Sequence, residues 1–117
     1  MTKQEILTEL LATKIVAIIR LDKSNSVYQA AEALYAGGVK AIEVTMGTPN
    51  ALAEIEKLAK HGGILPGVGS VVDAKTCELA IKAGAQFIVT PTSKKEVIDM
   101  AHRYNKPILS GALTALK

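Results

Sequence analysis

Glu43 is the residue of this sequence whose type and position most clearly suggest chemistry. It lies among the apolar residues Val39, Ala41, Ile42 and Val44, which have the character of a strand buried on both faces. An ionised carboxylate is costly to bury unless it is paired or takes part in a reaction. Glu43 is therefore a candidate catalytic group, and a structural carboxylate held by the backbone or by Arg20 is the alternative.

Glu43 also lies close to the end of its strand. The strand ends at Thr45, and Thr48 and Pro49 then have the character of a helix start, with a hydroxyl cap and a proline in the first turn. Arg20 likewise follows directly on an apolar run. Because α/β folds carry their functional groups at the carboxyl ends of parallel strands, we expect the site there.

Hydrophobic spacing predicts an opening helix and then five strands, with a helix after each of the first four. The predicted strands cover residues 15–19, 39–45, 64–69, 87–89 and 107–109. The predicted helix caps are Thr2, Ser24 or Ser26, Thr48, Asp73 and Ser93. The third strand is the weakest prediction, because it contains Pro66 and proline is unfavourable in a central strand.

Alternating strands and helices predict an α/β fold with a parallel sheet joined by right-handed crossovers. A closed (β/α)8 barrel needs roughly 250 residues, whereas this sequence has 117. We therefore predict a partial barrel of the TIM-barrel family, covering about five β-α units. A flavodoxin-like open sheet is the alternative, although no Gly-x-Gly-x-x-Gly turn follows the first strand.

Composition narrows the class of protein. The net charge is only +3 and aromatic residues make up 3%, so we expect neither a nucleic-acid partner nor an aromatic-rich binding surface. The sequence has no apolar run of membrane-spanning length and no signal peptide, and we expect no membrane contact. A single cysteine, Cys77, excludes an internal disulfide and predicts a cytoplasmic location.

Four segments carry a resemblance to a known family. They are Ile-Val-Ala-Ile-Ile-Arg at 15–20, Ala-Gly-Gly-Val-x-x-Ile-Glu-Val-Thr at 36–45, Pro-Gly-Val-Gly-Ser-Val at 66–71 and Gly-Ala-x-Phe-Ile-Val-Thr-Pro at 84–91. With this spacing, the chain resembles the bifunctional 2-keto-3-deoxy-6-phosphogluconate (KDPG)/4-hydroxy-2-oxoglutarate (KHG) aldolases. The resemblance implies a (β/α)8 barrel, usually trimeric, that forms a Schiff base between a lysine and a keto acid.

The resemblance also implies the reaction and the partners. These carbon–carbon lyases cleave KDPG to pyruvate and glyceraldehyde 3-phosphate, or KHG to pyruvate and glyoxylate. No metal or organic cofactor is expected, and the expected partners are a small-molecule keto acid and further copies of the same protein.

Residue roles follow from the same resemblance. Glu43 matches the general acid/base, and a carboxyl whose pKa is raised by an apolar strand suits that task. Arg20 matches an arginine that part of the family has at the exit of strand one, where it faces the anionic substrate and a guanidinium can bind a carboxylate with two hydrogen bonds. The positions that match pocket-lining residues are Thr45, Ser70, Thr90 and Pro91. Ser70 stands where threonine is more usual, and Gly47 stands where some members have an arginine.

The sequence departs from the family in what it lacks. The family's Schiff-base lysine is on strand six and its phosphate-binding residues follow strands seven and eight. We therefore expect residues 1–117 to be the N-terminal portion of a single TIM-barrel aldolase domain. None of the lysines considered is predicted to substitute. Three precede strands at the opposite end from Glu43 (Lys14, Lys40, Lys106), six lie on predicted helices (Lys57, Lys60, Lys75, Lys82, Lys94, Lys95), and Lys117 is terminal and unconstrained.

Two expectations concern the 117-residue chain by itself. It is predicted to lack aldolase turnover. It is also predicted to self-associate, because a partial barrel leaves two open sheet edges and an uncovered apolar interior. The alternative function is therefore a catalytically inactive, self-associating fragment.

Overall fold

The computed structural model describes residues 1–22 and 26–112. In these ranges five helices alternate with five strands. The helices are α1 (Lys3–Thr13), α2 (Val27–Ala36), α3 (Ala51–Ala59), α4 (Ala74–Ala83) and α5 (Lys95–Arg103). The strands are β1 (Val16–Ile19), β2 (Ala41–Thr45), β3 (Leu65–Gly69), β4 (Phe87–Thr90) and β5 (Ile108–Ser110).

The sheet has the strand order β1-β2-β3-β4-β5, and all four neighbouring pairs are parallel. Each strand thus lies beside its successor in sequence. A flavodoxin-like sheet would have the order 2-1-3-4-5, so that alternative is wrong for the described strands. The prediction of an α/β fold is confirmed, and the sequential parallel order is that of a segment of a TIM-type barrel.

The sheet separates two apolar clusters. The larger one lies between the sheet and the helices α2 to α5 and includes Ile42, Val44 and Val68, all fully buried. The smaller one lies on the opposite face, which we call the inner face, and joins Ala41, Leu65 and Phe87 to Ile6 of α1. Since side chains alternate along a strand, Glu43 lies on the inner face together with Ala41.

Local sequence signals account for several element boundaries. Thr2 forms the predicted capping box, in which its hydroxyl accepts from the Glu5 N–H at 3.1 Å and its own N–H donates to the Glu5 carboxylate at 2.8 Å. Asp73 caps α4 by accepting from the Thr76 N–H at 2.7 Å. Pro66 lies in the buried β3, so this strand, assigned only from its position in the chain, is confirmed.

Two predicted helix starts are wrong. Helix α3 begins at Ala51 after Asn50, because the Thr48 N–H instead donates to the Thr45 carbonyl at 3.0 Å and forms a turn directly after β2. Helix α5 begins after Lys94, and the Ser93 hydroxyl is not its cap. Of the two predicted caps for α2, Ser26 is at the cap position but makes no side-chain hydrogen bond there, and Ser24 lies outside the described residues.

No helix in the described ranges has both the length and the apolar character required to cross a membrane.

Candidate active site

Glu43 lies in the middle of β2 and is 4% exposed. Its register partners on the neighbouring strands are Ile18 of β1 and Gly67 of β3. The carboxylate therefore lies on the inner face, next to the smaller apolar cluster that contains Ala41. This is the environment in which a carboxyl group is held partly out of water.

Two glycines of β3 make room on the inner face. A Cβ on Gly69 would overlap the Oε2 atom of Glu43, so the carboxylate lies directly against the backbone of β3. A Cβ on Gly67 would overlap the ring of Phe87 in the same way. The Gly-x-Gly pattern of β3 thus fits a close approach of side chains from the strands on either side.

The environment of Glu43 raises the pKa of its carboxyl group. Burial is the larger cause, and the positive charge of Arg20 acts in the opposite direction. Within the described ranges no hydrogen bond reaches the Glu43 carboxylate. A carboxylate fixed by the backbone would have such bonds and a lowered pKa, so a carboxylate held by the backbone has no support in the local geometry. The other structural alternative, a carboxylate held by Arg20, stays open because the Arg20 charge acts on this group.

The raised pKa predicts a pH-dependent effect of Glu43→Gln on stability. A carboxyl whose folded pKa lies above its ordinary value of 4.5 stabilises the fold fully below that value, and this contribution is lost as the pH rises through the folded pKa. Near pH 7, the free energy of unfolding of Glu43→Gln is therefore expected to be about 1 kcal/mol higher than that of the wild type. The comparison is urea unfolding from about pH 4 to about pH 8.

Glu56→Gln supplies the control for this comparison, because Glu56 is exposed on the neighbouring helix α3. Its unfolding free energy should follow the wild type over the whole pH range. Identical pH profiles for wild type and Glu43→Gln would contradict the raised pKa.

The other predicted site residues lie at the carboxyl ends of four neighbouring strands. Thr45 and Thr90 are the last residues of β2 and β4 and are buried, at 1% and 4% exposure. Arg20, Ser70 and Pro91 directly follow β1, β3 and β4 and are exposed. Because the strands are parallel, their carboxyl ends lie side by side at one end of the sheet, which we call the rim.

Hydroxyl groups link the strand ends at the rim. The Thr45 and Thr48 hydroxyls are 3.4 Å apart, and Thr48 is also buried. The Thr90 hydroxyl donates to the Thr92 carbonyl at 3.0 Å and lies 3.4 Å from the Ser110 hydroxyl. These contacts fix the rotamers of both threonines.

Ser93 and Gly111 tie the connection after β4 to the end of β5. The Ser93 hydroxyl lies 2.9 Å from the Ser110 hydroxyl and donates to the Gly111 carbonyl at 3.0 Å. The Gly111 N–H donates to the Thr90 carbonyl at 2.9 Å. Sequence reasoning missed this network, and the one available signal was the pair Ser110-Gly111 at the end of a predicted strand.

Ser70 has a left-handed backbone, with φ of 60°. This conformation is unfavourable for residues other than glycine and most unfavourable for β-branched ones. Ser70→Gly is therefore expected to raise the free energy of unfolding by about 1 kcal/mol, and Ser70→Thr to lower it by about 1 kcal/mol. Denaturant unfolding of the two variants checks both signs.

The same glycine substitution at Ser26 is the control, since its φ is −97°. Ser26→Gly should leave stability unchanged or lower it slightly. A loss of stability in Ser70→Gly would mean that the Ser70 hydroxyl contributes more than the backbone strain costs.

Two lysines differ from their predicted placement on helices, and the first, Lys60, is the residue directly after the end of α3. Lys94 is not on a helix: it precedes α5 in the connection after β4, and its ammonium group donates to the Val72 carbonyl at 3.0 Å. Lys94 is thus at the rim end of the sheet. It is also exposed, whereas an imine-forming lysine needs a desolvated position to lower its pKa.

The fold and the rim together define a class of protein. β/α-barrel enzymes have parallel strands in sequential order, with their functional groups at the carboxyl ends of the strands. This chain has the same arrangement, with the buried Glu43 carboxyl on the inner face and polar side chains at the rim. The family model for KDPG and KHG aldolases matches residues 6–117. The chain belongs to this aldolase family.

Individual relatives agree with the family match. The chain is 36% identical over 103 residues to the 2-dehydro-3-deoxy-phosphogluconate aldolase of Pseudomonas aeruginosa, which covers 87% of this chain and 47% of the relative. The structure of this chain aligns with that of the 4-hydroxy-2-oxoglutarate/2-dehydro-3-deoxyphosphogluconate aldolase from TTHB1, with a TM-score of 0.82 and 32% identity. The alignment covers 93% of this chain and 54% of the TTHB1 relative.

A third relative was solved with a trapped intermediate. The KDPG aldolase of Legionella pneumophila, with pyruvate captured as a covalent carbinolamine, aligns with a TM-score of 0.78 and 28% identity, covering 85% of this chain and 48% of that one. The chain therefore spans about half the length of the relatives it matches.

Proposed function

We propose that this chain forms the N-terminal portion of a class I aldolase domain that cleaves KDPG, KHG or both to release pyruvate. The observation that carries the proposal is Glu43, a buried carboxyl with a raised pKa on the inner face, within a fold of the aldolase family. The keto-acid substrates are taken from the names of the relatives.

Glu43 is proposed as the general acid/base. Formation of an imine from a carbinolamine and cleavage of the carbon–carbon bond both require proton transfers at neutral pH. A carboxyl whose pKa lies nearer to neutrality can donate and accept with similar ease. The positive charge of Arg20 limits the rise in the pKa of Glu43, because it favours the ionised carboxylate.

Arg20 and the rim hydroxyls are proposed to bind the substrate. Arg20 is exposed at the end of β1 and close enough to act on the charge of Glu43. A keto acid held by the guanidinium through its carboxylate would place its carbonyl carbon over the inner face. Thr45, Ser70, Thr90 and Pro91 would line the pocket around it.

The imine-forming lysine is proposed to lie outside these 117 residues. Lys40 is paired with Glu9 at 2.6 Å, and Lys106 donates to Gln86 at 2.8 Å. Burial lowers the pKa of Lys106, as an imine-forming lysine requires. Lys106 nevertheless precedes β5, whereas the site is at the carboxyl ends of the strands.

Borohydride reduction in the presence of pyruvate tests this part of the proposal. The chain alone is expected to gain no pyruvyl adduct, by intact mass. Residues 1–112 joined to the C-terminal half of the TTHB1 relative are expected to gain one adduct, on a lysine of the added half. An adduct on the 117-residue chain would overturn the assignment, and peptide mapping would examine Lys94 and Lys106 first.

Other properties of the whole protein are proposed with the function. It would act in the cytoplasm on a free small molecule, without metal or organic cofactor, and would assemble as a trimer. The second candidate is a catalytically inactive, self-associating fragment, which is favoured by the exposed apolar side chains of the inner face, such as Ile18 at 59%.

A further inference from the structure

Thr48 is a buried polar residue in the turn that follows β2, and it is 2% exposed. Its hydroxyl does not cap α3, which begins after Asn50. The hydroxyl lies instead 3.4 Å from the Thr45 hydroxyl, and the Thr48 N–H donates to the Thr45 carbonyl at 3.0 Å. The backbone and the side chain of Thr48 thus both contact the last residue of β2.

Thr45 lies beside the Glu43 carboxylate on the inner face. The two residues are separated by one position in β2, so their side chains point to the same face. The register partner of Thr45 on β3 is Gly69, and a Cβ on Gly69 would overlap the Oε2 atom of Glu43. The carboxylate therefore reaches the level of Thr45 and lies about 5 Å from it, the spacing of neighbouring strands.

The Thr45 hydroxyl is turned away from this carboxylate. Within residues 1–22 and 26–112, its hydrogen-bond partner is Thr48, and no hydrogen bond reaches the carboxylate of Glu43. A threonine side chain has three staggered rotamers, so rotation about the Cα–Cβ bond of Thr45 can carry its hydroxyl toward Glu43. A hydroxyl that donates to a carboxylate favours the ionised form and lowers its pKa.

We propose that Thr48 is a positioning residue for Glu43: it accepts a hydrogen bond from the Thr45 hydroxyl and so keeps that donor away from the carboxylate. Both hydroxyls are buried, and a buried donor without an acceptor is costly. Without the Thr48 oxygen, the carboxylate is the acceptor that a rotated Thr45 hydroxyl would meet on the inner face. The inference rests on Glu43 as the proposed general acid/base, which needs a pKa near neutrality.

The other groups that face Glu43 are the same with and without the Thr48 hydroxyl. From β1, the charge of Arg20 lowers the pKa of Glu43, and Ile18 is apolar. From β3, the two glycines bring no side chain. From α1, Ile6 belongs to the smaller apolar cluster. Among the described residues, a change in the pKa of Glu43 on substitution of Thr48 would therefore point to the Thr45 hydroxyl.

A carbon-13 NMR titration of the carboxyl groups in the 117-residue chain tests the inference. The Glu43 signal is the one that disappears in Glu43→Gln. Thr48→Val keeps the shape of the side chain but removes its oxygen. It should move the midpoint of the Glu43 titration to lower pH by about half a unit, because a new hydrogen bond favours the ionised carboxylate. Thr48→Ser keeps the hydroxyl and should titrate like the wild type.

A second substitution separates this mechanism from a general loosening of the turn. Thr45→Val removes the donor, so in this background Thr48→Val should no longer lower the Glu43 midpoint. Thr13→Val is the matched control, because it removes a part-buried hydroxyl that bonds the Glu9 carbonyl at 3.1 Å on α1, and it should leave the titration unchanged. Circular dichroism checks that each variant is folded. If Thr48→Val unfolds, Thr48→Ala replaces it with the same expected direction.

Two results would overturn the inference. The first is a Glu43 midpoint that loss of the Thr48 hydroxyl leaves unchanged or raises. The second is an equal fall of the midpoint in the Thr45→Val background, which would mean that the Thr45 hydroxyl is not the cause.

Activity gives a separate readout, measured on residues 1–112 joined to the C-terminal half of the TTHB1 relative. The acid limb of the pH profile of kcat/KM for pyruvate release should move to lower pH in Thr48→Val, in parallel with the NMR midpoint. The NMR titration needs no turnover. An inactive parent would therefore count against the aldolase proposal alone, whereas an unshifted titration would count against the role of Thr48 alone.

Discussion

Replacing Glu43 with glutamine in a completed barrel is expected to lower pyruvate release by about 10²- to 10⁴-fold, the usual contribution of a general acid/base. Glutamine keeps the size of the side chain and its place against Gly69 but cannot exchange a proton. The assay uses residues 1–112 joined to the C-terminal half of the TTHB1 relative. It measures pyruvate release from KDPG and from KHG.

Glu54→Gln is the matched control, because Glu54 is the same residue type and is equally buried, at 3% exposure, but lies on helix α3. That variant should keep the turnover of the parent chimera. Normal turnover in Glu43→Gln would contradict its proposed role. If both variants lost activity equally, burial of any carboxyl would matter for folding and Glu43 would have no special part in the reaction.

Gly69→Ala is expected to lower the free energy of unfolding by about 2 kcal/mol, because the added methyl group overlaps the Glu43 carboxylate. For a chain of this size, that corresponds to a fall of about 10 °C in Tm. Gly47→Ala is the control, since a Cβ there meets no atom within 4 Å. Its stability should stay within about 0.5 kcal/mol of the wild type.

A double-mutant cycle with Glu43→Ala identifies the source of this loss. Once the carboxylate is removed, Gly69→Ala should cost about 1 kcal/mol less than in the wild type. The unfolding free energies of the four proteins give the coupling directly. If Gly69→Ala cost the same with and without the Glu43 carboxylate, the loss would come from backbone strain in β3. The position of Glu43 would then not depend on the absence of a side chain at Gly69.

Most of the secondary structure could be predicted because it depends on local sequence. The apolar run around Glu43, the capping box at Thr2 and the cap at Asp73 each act over a few residues, and all three have the predicted structure. The starts of α3 and α5 could not be predicted. Thr48 and Ser93 have the character of helix caps, but the hydroxyl of Thr48 lies against Thr45 and that of Ser93 against Ser110.

The position of the candidate site in the fold could be predicted in part for the same reason, whereas the roles of its residues stay predictions. An isolated carboxylate in an apolar strand is visible in the sequence, and the carboxyl ends of parallel strands predict which residues share its edge. The geometry that supports Glu43 was not visible. Gly69 matters only because β3 lies beside β2 in a particular register, in which Thr45 is opposite Gly69.

Residue types and their spacing along the chain are enough to predict the order of the elements, to select the candidate acid/base and to carry the resemblance to an aldolase family. The pairing of the strands in chain order, the close approach of the Glu43 carboxylate to Gly69 and the position of Lys94 at the rim are visible only in the folded structure. Those properties arise from contacts between residues that are distant in sequence, and local spacing carries no information about such contacts.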